Sequence, residues 1–171
     1  LDSYRTCEMV YIDILNRAER YVHIMTPYLI LDGALETAIK FAAQRGVDVT
    51  LILPGTPDKK APYALARTHY ASLLKAGVKI YEYTPGFVHA KVFISDDVRG
   101  VVGTVNLDYR SLYHHFECAA YLYRTDCLSD IEKDFRETLA LSEEKTLENY
   151  RQKKRGYYLL GLLLKILAPL L

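Results

Sequence analysis

A chain of 171 residues, half of them hydrophobic and a quarter charged, has the size and composition of one globular domain with a buried core. The formal net charge of +1 excludes a strong overall attraction to nucleic acid or to anionic lipid, so any such attraction must be local. The sequence has no apolar run of the roughly 20 residues that a bilayer-spanning helix needs, which says nothing about segments outside it.

The hydrophobic pattern predicts alternating helices and strands. In chain order we predict a helix at 3–19, a strand at 21–26, a helix at 33–44, a strand at 47–53, a loop at 54–62, a helix at 64–75, strands at 78–83, 88–94, 101–104 and 116–123, and a long charged helix from 128 to about 152. This alternation predicts an α/β fold in which helices flank a mixed sheet.

The composition changes after Arg155, which divides the chain into a predicted catalytic domain at 1–155 and a hydrophobic tail at 156–171. Lys165 is the only charged residue from 157 to 171. The tail is short for a membrane span but suits a helix lying in the membrane interface, with the preceding run Lys153–Arg155 facing anionic head groups. The alternative is a helix buried against the rest of the protein.

The cysteines do not suggest a metal site. Cys7, Cys118 and Cys127 are scattered, odd in number and without paired metal-ligand spacing. We predict reduced, buried thiols in a cytosolic setting. No other cluster of metal ligands is visible in the sequence, so no metal or other cofactor is expected.

The predicted strand at 88–94 carries two polar residues, His89 and Lys91. Residues two apart on a strand point to the same face, while the apolar residues between and after them point to the other. A histidine and a fixed cation that face the same way suit an anionic substrate such as a phosphodiester. The alternative is a buried strand with a satisfied histidine and a lysine that extends to solvent.

Asp96 completes the spacing His-x-Lys-x-x-x-x-Asp, which is followed by Gly103-Thr104-Val-Asn106. Asp96 lies an odd number of residues from His89 and Lys91, so on a regular strand it faces away from them. We therefore expect Asp96 to fix the local backbone or to support a histidine rather than to contact the substrate.

This motif resembles that of the phospholipase D superfamily, and within it the bacterial-type cardiolipin synthases. The similarity covers nearly the whole chain, and Thr104 stands where many members have serine, which also carries a hydroxyl. Further matching runs are Thr26–Tyr28, Pro54–Lys60, Ala76–Gly86, Asn106–Ser111, Phe116–Glu117 and the ending Ala168–Leu171.

The resemblance implies a phospholipase D-like fold in which His89, Lys91 and Asp96 form the catalytic motif. It implies that one half of the site supplies a histidine that becomes covalently phosphorylated and the other half supplies a histidine that acts as general acid. It favours the general-acid role for the motif of a C-terminal half, here His89. Lys91, Thr104 and Asn106 would bind the phosphoryl oxygens. Glu117 matches a carboxylate that could orient a histidine, although an exposed glutamate on an edge strand is the alternative.

The resemblance also implies two such motifs in each active site, whereas this chain has one. We expect either the C-terminal half of a longer enzyme or a subunit that pairs with a second copy, and a half that alone is inactive unless it pairs. The implied reaction is phosphatidyl transfer between two phosphatidylglycerols, giving cardiolipin and glycerol.

The implied setting is the cytoplasmic face of a bacterial cell membrane, with anchoring segments upstream of this sequence. Two other functions stay open at this point. One is a superfamily nuclease that acts as a homodimer, although the chain lacks the strong positive charge of a nucleic-acid-binding surface, and we expect no nucleic-acid partner. The other is a catalytically silent half that only binds anionic lipid.

Overall fold

The computed structural model describes residues 4–149 and 155–165 as one mixed sheet with helices on both faces. The strands are β1 (Tyr21–Met25), β2 (Asp48–Pro54), β3 (Lys79–Tyr83), β4 (Val92–Ser95), β5 (Arg99–Gly103), β6 (Ala119–Tyr123) and β7 (Ser142–Lys145). The helices are α1 (Thr6–Arg17), α2 (Gly33–Gln44), α3 (Lys60–Lys75), α4 (Cys127–Ala140) and α5 (Arg155–Leu164), and Arg110–His114 forms a π-helical turn.

The seven strands lie in the order β6-β5-β4-β1-β2-β3-β7. β1, β2 and β3 are parallel, as expected for strands joined through α2 and α3, while β4, β5, β6 and β7 pair antiparallel to their neighbours. The prediction of an α/β fold with a mixed sheet flanked by helices is confirmed.

Two hydrophobic layers hold the helices to the sheet. On one face, α1, α2 and α3 share a core with sheet residues such as Leu51 and Phe93. On the other face, Leu128 and Phe135 of α4 pack against buried residues of β1, β2 and β4, among them Ile52. Alternate residues of the central strands therefore serve different layers, which explains why β1 and β2 are almost entirely buried.

Three sequence predictions were wrong in detail. The predicted helix at 128–152 ends at Ala140, and Ser142–Lys145 instead pairs with β3 as an edge strand. The strand predicted at 88–94 begins only at Val92. Cys118 and Cys127 are exposed rather than buried, and none of the three cysteines forms a disulfide within the described residues.

The helix α5 covers the described part of the predicted hydrophobic tail, and it packs against α3. Gly161 is buried in that contact, whereas Leu163 is exposed, so the described part of the tail is partly packed and partly open. Residues 166–171 and the basic run at 153–154 lie outside the described residues. Within 4–149 and 155–165, no helix combines the length and the apolar character that crossing a membrane requires.

Candidate active site

The segment before β4 places His89 and Lys91 at the surface of the sheet. Val88, Ala90 and Val92 pack against the core on the α4 side. Backbone alternation therefore turns His89 and Lys91 toward the other side, although both lie before the first ladder residue of β4 rather than within the strand. A chain segment anchored by every second residue holds its polar side chains in a fixed direction.

An open pocket of ≈ 530 Å³ contains four of the predicted site residues: His89, Lys91, Thr104 and Asn106. Val102 and Gly103 of β5 form its other side, because β5 pairs antiparallel with β4 and ends beside Lys91. The pocket thus joins the His-x-Lys segment to the Gly103–Asn106 run that follows it in the sequence. The structure brings these two parts of the motif together.

Lys91 supplies the positive charge of the pocket. Its Nζ donates a hydrogen bond to the carbonyl oxygen of His89 at 2.7 Å, which ties the two residues together. Partial burial lowers the pKa of Lys91, while the carboxylates of Glu117 and Asp108 oppose that shift. A lysine that is partly withdrawn from water interacts more strongly with a phosphoryl oxygen than a fully solvated one.

Asn106 is held from beneath by a small polar network. Its Nδ2 donates to the hydroxyl of Ser111 at 3.1 Å, and the Ser111 backbone N–H donates to Asp108 at 2.8 Å. Asn106 Oδ1 is buried and has no hydrogen-bond partner among the described residues. Asn106 also lines the pocket, so an amide N–H that turns away from this network can donate to a phosphoryl oxygen there.

Burial raises the pKa of the Asp108 carboxyl, although hydrogen bonds from Ser111 and Asn106 oppose this shift. Asp108 and Ser111 are residues that the sequence analysis did not assign to the site. Their signal was their place in the matching run that begins at Asn106. They do not line the pocket, so their contribution is to hold Asn106 in position.

Thr104 lies where β5 approaches the segment before β6. Its hydroxyl donates to the Glu117 carboxylate and accepts from the backbone N–H of Cys118 at 3.0 Å. Gly103 permits this approach, because a Cβ at that position would lie 2.3 Å from the Cys118 carbonyl oxygen. Because the Thr104 hydroxyl already donates its hydrogen bond to Glu117, it can donate to a phosphoryl oxygen only after breaking that bond.

Glu117 forms no hydrogen bond with His89 among the described residues. Its second oxygen lies 3.9 Å from Nδ1 of His115, a histidine that the sequence analysis did not assign to the site. Within the described part of the chain, no side chain hydrogen-bonds to the His89 ring, which is exposed and lies 5.7 Å from the Phe87 ring. The expected contact between a carboxylate and the motif histidine is not made inside this half.

Asp96 lies at the other end of β4, away from the pocket. It forms a tight turn with Asp97, both with a positive φ near 60°, a conformation that aspartate tolerates better than most residues. Its carboxylate accepts three backbone N–H groups, those of Glu19 at 2.8 Å, Arg20 at 2.9 Å and Tyr21 at 2.8 Å. Asp96 therefore connects the start of β1 to the end of β4.

A family model described as cardiolipin synthase, PLD-like domain (phospholipase D-like) matches residues 11–139, which include the whole pocket. The chain belongs to this phospholipase D-like family. The match extends from α1 to α4 and therefore covers both helical layers and the six strands from β1 to β6.

Several relatives of this phospholipase D-like chain are cardiolipin synthases. The chain is 36% identical over 170 residues to cardiolipin synthase 2 of Bacillus anthracis and 37% identical over 169 residues to the cardiolipin synthase of Geobacillus sp., covering 99% of this chain in both alignments. It is 63% identical over all 171 residues to a Streptococcus mutans protein described as uncharacterized. The chain spans 37% of that protein and 33% and 34% of the two synthases.

Solved structures share the phospholipase D-like fold. Nuc from Salmonella typhimurium, a phospholipase D family member, superimposes with a TM-score of 0.70 at 15% identity, over 81% of this chain and 90% of Nuc. The phosphatidylserine synthase of Haemophilus influenzae superimposes with a TM-score of 0.73 at 17% identity, over 96% of this chain and 45% of the synthase. At such identities the similarity establishes the fold and not the substrate.

The phospholipase D-like site contains no recognisable metal centre in the region the structure covers. No group of three or more histidine, cysteine, aspartate or glutamate side chains there is arranged to hold a metal ion. The chemistry available in the described pocket is that of imidazole, ammonium, amide and hydroxyl groups.

The position of Asp96 leads to a stability prediction. Asp96→Ala removes the acceptor of three N–H groups, so we expect the free energy of unfolding to fall by roughly 3 kcal/mol and the melting temperature by about 6–12 °C. Asp96→Asn, which tolerates the same turn and keeps one carbonyl oxygen, should lose less. Turnover per folded molecule should stay within a few-fold in both; a stable but inactive Asp96→Ala variant would show that Asp96 takes part in catalysis.

Proposed function

We propose that this domain is one half of a phosphatidyl transferase that converts two phosphatidylglycerols into cardiolipin and glycerol. The observation that supports this most directly is the pocket in which His89, Lys91, Thr104 and Asn106 converge, in a chain that aligns over 99% of its length with cardiolipin synthases. Phosphatidylglycerol and other anionic phospholipids are the proposed substrates, and the cytoplasmic face of a bacterial cell membrane is the proposed place of action.

The proposed reaction has two displacement steps at phosphorus. In the first, a histidine nitrogen attacks the phosphorus of one phosphatidylglycerol, a P–N bond forms, and the bond to the glycerol head group breaks. In the second, a hydroxyl of another phosphatidylglycerol attacks the phosphohistidine, the P–N bond breaks, and cardiolipin leaves. The other of the site's two motif histidines gives a proton to the leaving glycerol and takes one from the incoming hydroxyl.

Lys91 and Asn106 would stabilise the charge that develops on the phosphoryl oxygens in both steps. The ammonium group provides a fixed positive charge, and the amide held by Ser111 provides a directed N–H donor. Thr104 would join them when its hydroxyl leaves Glu117. None of these groups needs a metal ion to perform its role.

His89 fills one of two roles, the nucleophile or the general acid, and the family pattern favours the acid. The two roles predict different results for phosphoenzyme formation in the His89→Ala variant. If His89 is the acid, His89→Ala in a two-motif enzyme still forms the covalent phosphoenzyme with a substrate that has a good leaving group. If His89 is the nucleophile, no phosphoenzyme forms.

The second motif must come from outside this chain, either from another segment of a longer enzyme or from a second copy. The exposed His89 ring supports this, because no described side chain of this half fixes its orientation. Glu117, which borders the same region through Thr104, is the carboxylate that a second half could meet.

We predict that the chain alone is nearly inactive unless it pairs with itself. Because one histidine cannot be both nucleophile and acid in the same displacement, a monomer should lack measurable transfer activity. Activity should therefore rise with the square of concentration at low concentration, in parallel with a dimer seen by light scattering. Activity strictly proportional to concentration in a sample that light scattering shows to be monomeric would contradict this prediction.

The substrate class is tested by giving the two-motif enzyme phosphatidylglycerol vesicles or single-stranded DNA and separating the products by thin-layer chromatography. We expect cardiolipin from the lipid and no cleavage of the DNA. DNA cleavage without lipid products would instead identify a nuclease. Vesicle binding without any product would identify a silent, lipid-binding half.

A further inference from the structure

The helix α5 is fixed to the domain along one side. A Cβ on Gly161 would lie 2.2 Å from the carbonyl oxygen of Ala64 and 2.7 Å from Cγ2 of Thr68, so only glycine allows α5 to approach α3 this closely. Three residues later, Leu164 packs against the buried pair Ile30 and Leu65. Two residues about one helical turn apart on α5 thus contact the domain.

The opposite side of α5 is apolar and open. Leu160, Leu162 and Leu163 are 38%, 43% and 75% exposed. At 100° per residue, Leu162 and Leu163 lie equally far around the helix, about 130°, from the contact side of Gly161 and Leu164, and Leu160 lies beside Leu163 toward that contact. The helix therefore presents an outer row of leucines, which we call the leucine face.

The docked side of α5, opposite the leucine face, adjoins the segment that carries the candidate active site. Leu164 shares its hydrophobic cluster with Tyr109, which follows Asn106 of the pocket by three residues. The backbone N–H of Ile30, in the same cluster, donates to the Leu107 carbonyl oxygen at 2.8 Å. The short segment 106–109 thus contributes to the pocket through Asn106 and contacts the docked side of α5 through Tyr109.

Lysines lie at the edge of the same region. Lys59 and Lys60 begin α3, and Lys60 is about 8 Å along the helix axis from Leu65, given a rise of 1.5 Å per residue. Lys165 follows α5 directly. All three are exposed, and none forms an ion pair with an acidic side chain among the residues described.

The loop that carries Lys59 is also tied to the site. Its Asp58 carboxylate accepts the Tyr28 hydroxyl at 2.6 Å and the Lys59 backbone N–H at 2.7 Å. Tyr28 lies two residues before Ile30 at the exit of β1. This contact turns the one carboxylate of the loop toward the protein, beside two outward lysines.

We infer that the leucine face, together with Lys59, Lys60 and Lys165, is a docking surface for an anionic lipid bilayer that holds the pocket at the level of the phosphate groups. Apolar side chains enter the boundary of the acyl chains while ammonium groups remain with the head groups, which is how interfacial helices bind membranes. The inference rests on the proposed function for its choice of substrate, but the surface itself is defined by α5 and α3.

The charge pattern favours a bilayer over a protein as the occupant. Three exposed lysines at the start of α3 and the end of α5, beside an apolar helix face, complement a surface that is negative at one depth and apolar just below it. The fixed attachment of α5 through Gly161 also means that the surface is already formed before binding, so docking does not require the helix to fold.

The test is co-sedimentation of the protein with vesicles of phosphatidylglycerol and phosphatidylcholine, and with vesicles of phosphatidylcholine alone. Leu162→Ser combined with Leu163→Ser should weaken binding to the anionic vesicles by at least about tenfold, because two apolar insertions are lost. Lys59→Gln combined with Lys60→Gln should weaken it by about tenfold, and that loss should shrink as salt is raised.

The matched controls are the same Leu→Ser and Lys→Gln substitutions at exposed positions outside the proposed docking surface. Leu141→Ser alters an exposed leucine after α4, and Lys133→Gln alters an exposed lysine on α4, on the far face of the sheet. Both should bind vesicles as the unaltered protein does. Gly161→Leu should lower the melting temperature, since the larger side chain cannot fit against α3, and an unchanged melting temperature would show that α5 is not docked.

Vesicle binding that is unchanged in the leucine and lysine variants would overturn the inference. A lower melting temperature in the leucine variant with unchanged vesicle binding would show that a protein surface covers α5 instead. Because binding is measured without turnover, a two-motif enzyme that makes no cardiolipin but shows the predicted vesicle pattern would refute the proposed function and leave the docking surface standing.

Discussion

His89→Ala and Lys91→Ala, each introduced into the two-motif enzyme, should reduce turnover at least 100-fold without lowering the melting temperature. A positioned acid or base contributes about 10²–10⁴-fold, and the loss of a charge beside the phosphoryl oxygens is of similar size. His89 is exposed and Lys91 is only partly buried, so neither substitution opens a cavity in the core. The measurement is cardiolipin formation at saturating lipid, beside a thermal unfolding curve.

Two controls separate a loss of chemistry from a loss of charge or structure. His114→Ala removes an exposed histidine at the end of the π-helical turn, and Lys133→Ala removes an exposed lysine on α4. Both should keep near-normal turnover. Activity above a tenth of the unaltered enzyme in either His89→Ala or Lys91→Ala would remove that residue from the catalytic assignment.

Glu82→Ala should have the largest effect on stability, a loss of roughly 3–5 kcal/mol, because it removes the carboxylate that buried Arg67 pairs with and leaves buried Lys145 with only the half-exposed Glu143. Glu82 on β3 accepts from Arg67 of α3 at 2.8 Å and lies 3.2 Å from Nζ of Lys145 on β7. The Tyr70 hydroxyl also donates to it at 3.1 Å, and Arg67 lies over the Tyr70 ring. For a chain of this length the melting temperature should fall by about 10 °C or more.

The control for Glu82 is Glu137→Ala, which removes an exposed carboxylate 4.0 Å from Lys133 on α4. An exposed pair of this kind contributes little, so the free energy of unfolding should change by less than about 0.5 kcal/mol. If Glu82→Ala and Glu137→Ala prove equally mild, the buried network does not hold β7 and α3 to the sheet.

The same network explains what the sequence could not predict. Residues 142–145, Ser-Glu-Glu-Lys, are polar and favour a continued helix by local preference, so the long helix was the natural prediction. The chain instead turns at Leu141 and pairs with β3, where Lys145 reaches Glu82. That contact joins residues 63 positions apart, and a local pattern does not contain it.

The elements of the core were predictable because their periodicity follows from burial. The helix at 33–44 was predicted with the bounds that the structure shows, since its apolar spacing, the Asp32 cap and the turn at Gly46 all agree. The strand at 88–94 was predicted too early, because its alternation persists before the hydrogen-bonded ladder begins at Val92. The alternation of apolar and polar residues indicates which side each side chain faces, and it does not indicate whether a neighbouring strand is hydrogen-bonded there.

The pocket was predictable only in part for a related reason. The sequence joined His89 and Lys91 by their spacing, and the resemblance added Thr104 and Asn106, all of which line the pocket. The partner of Glu117 was not predictable, because the Thr104 contact depends on how closely β5 approaches Cys118 at Gly103. The role of Asp96 as an acceptor of three backbone N–H groups arises from the turn geometry and not from the motif.

The central claim is tested most directly by following doubly labelled phosphatidylglycerol, with one label in the glycerol head group and another in the acyl chains, through the two-motif enzyme. Transfer through a phosphohistidine predicts one glycerol released for each cardiolipin formed, with little phosphatidic acid, and predicts that added glycerol drives the reaction backwards. Release of glycerol with an equal amount of phosphatidic acid and no cardiolipin would show hydrolysis instead and would contradict phosphatidyl transfer as the function of this domain.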